Sequence, residues 1–163
     1  MVIRIGVMGI GNEARGDDAV GLVVARHLRH EIPDSVTVQE VRGEGIDLLD
    51  RWQNADAVIL IDASRSGAAP GTVHRLEPLT QTIPHSLFPC STHAFGVAEA
   101  IELARVLQQL PSRLVVYGIE GAQFDIGSDL SAAVRQAVPH VVQQVRQDIA
   151  TFRAQERGEE SHA

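Results

Sequence analysis

The fold is decided by one stretch near the start of the chain: Gly9-Ile10-Gly11-Asn12-Glu13-Ala14-Arg15-Gly16-Asp17-Asp18-Ala19-Val20-Gly21. An apolar run of strand length, residues 2–8, precedes this stretch, and apolar side chains recur at helical spacing over residues 20–28. It is therefore a loop between a strand and a helix, and its glycines allow tight turns. Because a carboxylate is favoured where a helix begins, Asp17 is expected to cap this helix. Asp18 then falls in the first turn and can point over the strand end toward a cation.

The size and charge of the chain narrow the class of protein. Its 163 residues suit a single domain, which we place at residues 1–154, with a disordered tail at 155–163. The net charge of −7 disfavours a nucleic-acid or anionic-membrane surface, and no apolar run is long enough to cross a bilayer. The N-terminus also lacks a signal-peptide pattern. We expect a cytoplasmic monomer with no nucleic-acid or membrane partner.

The next elements are typical of a parallel sheet. A second strand at residues 35–41 precedes a short helix at 46–52. The continuous apolar run at 57–61, ending at Asp62, is typical of a central strand that is buried on both faces. An alternating segment at 72–76 indicates an edge strand, which is expected to form a hairpin with the central strand.

Three elements complete the chain. They are a helix capped by Ser91 or Thr92, a strand at 113–119, and a final helix from residue 130 to about 152. Alternation of strands and helices favours a three-layer α/β sandwich. We therefore predict a mostly parallel, twisted sheet of about five strands and one hairpin or edge strand, with helices on both faces.

Three candidate metal ligands fall at the carboxyl end of this sheet, where such sheets bind their ligands. Asp18 follows the first strand, Asp62 ends the central strand, and His93 lies in the first turn of the helix that follows. Each has an ordinary structural interpretation when taken alone, but together they favour a metal site. A helix N-terminus keeps an imidazole neutral, as a metal ligand must be. Two carboxylates and an imidazole suit zinc, nickel or manganese, with positions left for water or substrate.

The single cysteine gives a different catalytic hypothesis. Cys90 could act as a nucleophile with His93, three residues later, as its base and Asp62 as the orienting acid. A small buried side chain is the commoner role for a lone cysteine. The cysteine-peptidase interpretation is therefore the less favoured of the two.

The glycine-rich loop also fits the dinucleotide fingerprint, as Gly9-x-Gly11-x-x-Ala14. Glu40 ends the second strand, where a ribose-binding acid could lie. The acids at positions 13, 17 and 18 would repel a pyrophosphate, which counts against this alternative. The sequence leaves open the roles of three further acids near the same edge: Glu40, Glu44 and Glu120.

Taken in order, these motifs resemble those of the nickel–iron hydrogenase maturation endopeptidases. The matching blocks are Gly9-x-Gly11-Asn12 with Asp17-Asp18-x-x-Gly21, then Asp62-Ala63, Ser91-Thr92-His93-x-x-Gly96, and Gly118-Ile119-Glu120 with Gly127-x-x-Leu130-Ser131. They cover nearly the whole chain. One block departs from the family pattern of an acid followed by a glycine–threonine pair, since this chain has Glu40-Val41-Arg42-Gly43-Glu44-Gly45. The departure concerns substrate docking.

The resemblance implies a peptidase that removes the C-terminal extension of a hydrogenase large-subunit precursor after nickel insertion. It further implies that Asp18, Asp62 and His93 are both the metal ligands and the catalytic residues. On this hypothesis the precursor supplies the nickel, no other cofactor is bound, and zinc or cadmium is expected to replace nickel in vitro. The chain lacks the His-Glu-x-x-His helix of zinc peptidases. A nickel-checkpoint chaperone that binds the precursor without cutting it is the non-enzymatic alternative.

Overall fold

The computed structural model describes residues 2–42, 47–88 and 95–161. Five strands form one sheet: β1 (Ile5–Ile10), β2 (Thr37–Val41), β3 (Ala57–Ser64), β4 (Val73–Leu76) and β5 (Arg113–Glu120). Their order across the sheet is β2-β1-β3-β5-β4. All neighbours are parallel except β4, which runs antiparallel to β5. The predicted mostly parallel α/β sheet is confirmed.

Helices cover both faces of the sheet. They are α1 (Val20–Arg29), which follows a 3-10 helix at Gly16–Ala19, then α2 (Asp47–Trp52), α3 (Val97–Val106) and α4 (Ala132–Ser161). Side chains alternate along a strand, so odd-numbered residues of β3 and β5 pack with α1 and α4. Even-numbered residues of the same strands pack with α2 and α3. The two apolar cores make the three layers that the sequence predicted.

The edge strand β4 has a different partner from the one predicted. It pairs with β5, with Val73 opposite Ile119 and Leu76 opposite Val116, and β5 lies between β4 and β3. The predicted hairpin between β3 and β4 is therefore wrong. The physical reason is burial: β5 is apolar on both faces and takes the inner position, whereas β4 is half-exposed and takes the edge.

The start of α3 also differs from the prediction. Gly96 precedes the first turn, and the Glu99 carboxylate accepts a hydrogen bond of 3.1 Å from the Gly96 amide. An acid at the third helical position commonly closes a helix start in this way. The predicted caps, Ser91 and Thr92, are therefore wrong. Since α3 begins at Val97, His93 is not in its first turn.

The last helix is longer than predicted. α4 continues past Phe152 to Ser161, so it includes residues that the sequence assigned to a disordered tail. Residues 153–157 are arginine, alanine, glutamine and glutamate, which favour helix and extend the buried part of α4. Although α4 is 30 residues long, it is too polar for a membrane, and no helix in the described ranges has both the length and the apolarity to span one.

Candidate active site

A close contact between α1 and the sheet brings the glycine-rich loop to the end of β3. A Cβ on Gly21 would lie 2.3 Å from the carbonyl oxygen of Ile10 and 2.4 Å from that of Ile61. Both distances are too short for any side chain, so glycine lets α1 begin directly over the carboxyl ends of β1 and β3. This places Asp18, just before α1, next to Asp62, just after Ile61.

Asp18 and Asp62 form an electrostatically coupled pair, and both are half-buried. Burial raises the pKa of the Asp18 carboxyl, while the charges of Arg15 and Arg65 lower it. Burial raises the pKa of Asp62 well above its ordinary value, and the neighbouring charge of Asp18 raises it further. The Ala63 amide donates a hydrogen bond of 2.8 Å to Asp62 and opposes this shift. The pair can bind a cation or share a proton.

Asp17 does not cap α1 as predicted. Its fully buried carboxylate accepts hydrogen bonds from the amides of Ala122, Gln123 and Ser131 and from the Ser131 hydroxyl. Burial alone would raise its pKa, but the four donors outweigh burial and lower it. Among the residues described, no side chain caps the start of α1. Asp17 instead ties the loop after β5 to the segment that carries Asp18.

Glu120 is a structural carboxylate at the end of β5. It is 2% exposed and accepts hydrogen bonds from the hydroxyls of Ser64 (2.8 Å) and Ser66 (3.0 Å). The amides of Ser66 (2.7 Å) and Gly67 (2.8 Å) also donate to it. Although burial opposes ionisation, these donors hold the pKa of Glu120 below its ordinary value. The role that the sequence left open is therefore to hold the loop after β3.

Glu40 is also engaged within the protein. Its carboxylate lies 2.8 Å from Arg26, 2.7 Å from Arg29 and 3.2 Å from Arg42. Glu13 joins this network through Arg26, at 2.9 Å, and through Arg42. Glu40 is thus part of a network between α1 and β2 and does not present a free carboxylate to a ribose.

The amides of the glycine-rich loop bond to the loop itself and to the end of β2. The Gly11 amide donates to the Val41 carbonyl and the Asn12 amide to the Asp18 carbonyl, both at 3.1 Å. The Ala14 amide donates to the Asn12 side chain at 2.9 Å. A Cβ on Gly11 would lie 2.1 Å from the Asp18 carbonyl oxygen. Because these amides already have partners, the loop does not fit the phosphate cradle of a dinucleotide site.

His93, Cys90 and Glu44 lie outside the described residues. The residues on either side of positions 89–94, Phe88 and Phe95, both pack in the core shared with α2 and α3. That core contains the even-numbered positions of β3, the face to which Asp62 belongs. A Cβ on Gly118, which is opposite Asp62 in the sheet, would lie 3.1 Å from the Phe88 ring. The chain therefore reaches position 88 beside Asp62.

Sequence reasoning missed two arginines near the carboxylate pair. Arg15 and Arg65 are exposed, and both lie near enough to Asp18 to influence its pKa. Arg15 comes three residues before Asp18, and Arg65 comes three residues after Asp62. That equal spacing from the two acids is a signal that could have identified them.

Known proteins resemble this chain over most of its length. Residues 22–148 match a family described as hydrogenase maturation protease, a range that includes positions 62 and 93 and begins after position 18. The hydrogenase 2 maturation protease of Escherichia coli strain K12 is 30% identical over 148 residues, with 88% of each chain covered. The hydrogenase expression/formation protein HupD of Bradyrhizobium diazoefficiens is 31% identical over 140 residues, covering 83% of this chain and 72% of that protein.

Solved structures give the same result. The hydrogenase maturating endopeptidase HybD from E. coli superposes with a TM-score of 0.77 and 26% sequence identity, covering 92% of this chain and 94% of that chain. A hydrogenase maturation protease from Thermococcus kodakarensis superposes with a TM-score of 0.71 at 23% identity, covering 88% of this chain and 90% of that chain. The second likeness concerns the fold alone.

Proposed function

Since this chain belongs to the hydrogenase maturation protease family, we propose that it removes the C-terminal extension of a nickel–iron hydrogenase large-subunit precursor after nickel insertion. Family membership confirms the resemblance seen in the sequence motifs and makes the protein a peptidase. The proposal adds the substrate, the dependence on nickel, and a site made of Asp18, Asp62 and His93. The observation that carries the site is the interaction between Asp18 and Asp62 at the carboxyl edge of the sheet.

The chemistry of the two carboxyl groups suits a divalent cation. Burial disfavours the ionised form of each, and the charge of Asp18 makes ionised Asp62 still less favourable. A divalent ion between the two would compensate both charges, and imidazole and carboxylate ligands accept nickel, zinc or manganese. In the described part of the chain, no group of three or more His, Cys, Asp or Glu side chains is arranged to hold a metal.

The proposal takes its third ligand from His93. Support comes from the described residues that flank positions 89–94, since Phe88 and Phe95 pack on the Asp62 face of the sheet. The Leu87 carbonyl also accepts a hydrogen bond of 3.1 Å from the Arg65 amide, which holds this part of the chain to the end of β3. His93 itself lies outside the described residues, so its role as a ligand stays a proposal.

In the proposed reaction, nickel arrives as part of the substrate. Asp18 and Asp62 bind the metal-carrying end of the precursor and orient the adjacent scissile peptide. The nickel supplies Lewis-acid polarisation of the scissile carbonyl. A precursor without nickel brings no positive charge to the site. The repulsion between the carboxyl groups of Asp18 and Asp62 then remains uncompensated when that precursor binds. The site thereby restricts processing to loaded precursor.

The test is cleavage of nickel-loaded and nickel-free precursor by the parent and by an Asp62→Asn variant, read by mass. The expected result is a shortened product from the parent with loaded precursor alone. Asp50→Asn, which makes the same charge change on the exposed surface of α2, should behave like the parent. Binding of loaded precursor without any loss of mass would instead identify a checkpoint chaperone. Cleavage of nickel-free precursor by the parent would contradict the substrate-metal mechanism.

A further inference from the structure

Two arginines beside the carboxylate pair form no ion pair with any acid in the described part of the chain, although the full sequence carries 21 acids against 14 basic residues. Elsewhere arginines pair readily: Arg26, Arg29 and Arg42 contact Glu40, and Arg75 contacts Asp148. Within residues 2–42, 47–88 and 95–161, neither Arg15 nor Arg65 has a carboxylate oxygen within 4.0 Å. Both are exposed at the edge of the site.

Phe124 holds both side chains in place. The Arg65 guanidinium carbon lies 3.9 Å from the centre of the Phe124 ring. The Arg15 Nε donates a hydrogen bond of 3.3 Å to the Phe124 carbonyl oxygen. Phe124 is itself anchored, because it packs against the core shared with α1 and α4. The two cationic groups therefore converge on one fixed residue.

Most of the hydrogen-bonding capacity of these arginines is unused. A guanidinium has five N–H donors, and stacking on an aromatic ring occupies none of them. In the described part of the chain, the terminal nitrogens of Arg15 and the whole Arg65 guanidinium donate no hydrogen bond to protein. Planar guanidinium groups bind carboxylates through paired N–H donors, and their fixed position lowers the entropy cost of binding.

We propose that Arg15 and Arg65 together bind a carboxylate of the precursor close to the scissile bond, and so contribute to substrate specificity. This inference rests on the proposed function. The carboxylate is either an acidic side chain or the terminal carboxyl group of the extension. When the arginines bind this carboxylate, its negative charge is kept away from Asp18 and Asp62. Those two residues can then bind the nickel-carrying part of the precursor.

The test compares the parent with an Arg15→Gln/Arg65→Gln double variant on nickel-loaded precursor. We expect kcat/KM to fall roughly 10- to 100-fold, mainly through KM, because charge-assisted hydrogen bonds are lost. Arg157→Gln makes the same type of charge change on the exposed end of α4 and should have no effect. The Arg15→Lys/Arg65→Lys variant retains both charges and should recover part of the loss, which distinguishes a binding role from misfolding.

Two altered precursors identify the carboxylate. In one, the acidic side chains of the extension are changed to amides; in the other, the terminal carboxyl group is amidated. With the precursor that has lost the bound carboxylate, the parent should cleave as poorly as the double variant does. An unchanged KM in the double variant would overturn the inference. So would a double variant whose kcat/KM stays as far below that of the parent on both altered precursors as on the unaltered one.

Failure of this inference can be told from failure of the proposed function. If the parent cleaves loaded precursor but the arginine variants match it, the arginine inference alone is wrong. If the parent cuts no precursor, the proposed function fails. The affinity of the same variants for the precursor, measured by calorimetry, then tests the arginines separately. Equal affinities of the parent and the double variant would overturn the proposed role of Arg15 and Arg65.

Discussion

Ser131 binds Asp17 through both its backbone amide, at 2.7 Å, and its hydroxyl, at 2.9 Å, although it lies 114 positions further along the chain. The contact closes the loop after β5 onto the residue before Asp18. Adjacent aspartates in the sequence therefore have opposite roles: Asp17 is buried and satisfied by four donors, whereas Asp18 lies at the site and ionises less readily.

We predict that Asp17→Asn destabilises the protein by about 2–4 kcal/mol, because an amide cannot satisfy all of the buried donors that face it. Asp18→Asn is the matched control, with the same change one residue later. It should alter stability by no more than about 0.5 kcal/mol, or raise it, since ionised Asp18 is disfavoured by burial. Urea unfolding at pH 7 measures both. Equal losses in the two variants would contradict the division of roles.

Glu120 should make stability depend on pH in the acidic range. Its pKa is lowered in the folded protein, so its ionised form stabilises the fold above the ordinary glutamate pKa of 4.5. As the pH falls below that value, the unfolded chain binds a proton before the folded protein does, so the contribution shrinks and is lost once the pH passes the lowered pKa of the folded state. Glu120→Gln should therefore be less stable than the parent at pH 7, by about 2 kcal/mol, and the difference should shrink toward pH 3. A constant difference across this range would argue against an ionised Glu120.

The site should bind a divalent metal in the absence of precursor. We expect the parent to take up about one equivalent of nickel, zinc or cadmium. Metal at about 100 times its dissociation constant should raise the free energy of unfolding by about 2.7 kcal/mol. Asp62→Asn should lose this stabilisation while unfolding no more easily than the metal-free parent, since the buried charge of Asp62 is unfavourable. Calorimetry and thermal unfolding provide the two measurements. Unchanged metal affinity in Asp62→Asn would exclude it as a ligand.

His93 and Cys90, three residues apart, should respond differently to replacement by alanine. His93→Ala removes a proposed metal ligand, so it should abolish shortening of loaded precursor. Cys90→Ala should cleave normally, because the proposed site uses no thiol. Mass analysis of the product measures cleavage, and thermal unfolding verifies that both variants fold. Loss of cleavage in a folded Cys90→Ala variant would revive the cysteine-peptidase hypothesis.

Local patterns in the sequence predicted the parallel sheet and the closeness of two candidate site residues. The apolar runs of β3 and β5 are continuous, and a strand buried on both faces needs such a run. Carboxyl ends of parallel strands meet at one edge, so Asp18 and Asp62 could be placed together without coordinates. The family motifs are equally local, which is why they identified the peptidase family.

Contacts between distant parts of the chain decided the remainder. Which strand β4 joins depends on β5, about 40 residues later, and burial of β5 gives the answer. The roles of Asp17 and Glu120 depend on donors from other loops, and the position of Arg65 depends on Phe124. Composition and periodicity describe neighbours along the chain, whereas the partner of a buried carboxylate is set by packing. The sequence by itself therefore determined the parallel strands and the edge at which the candidate site lies, and only tertiary structure decided the place of β4 and which acids are held inside the fold.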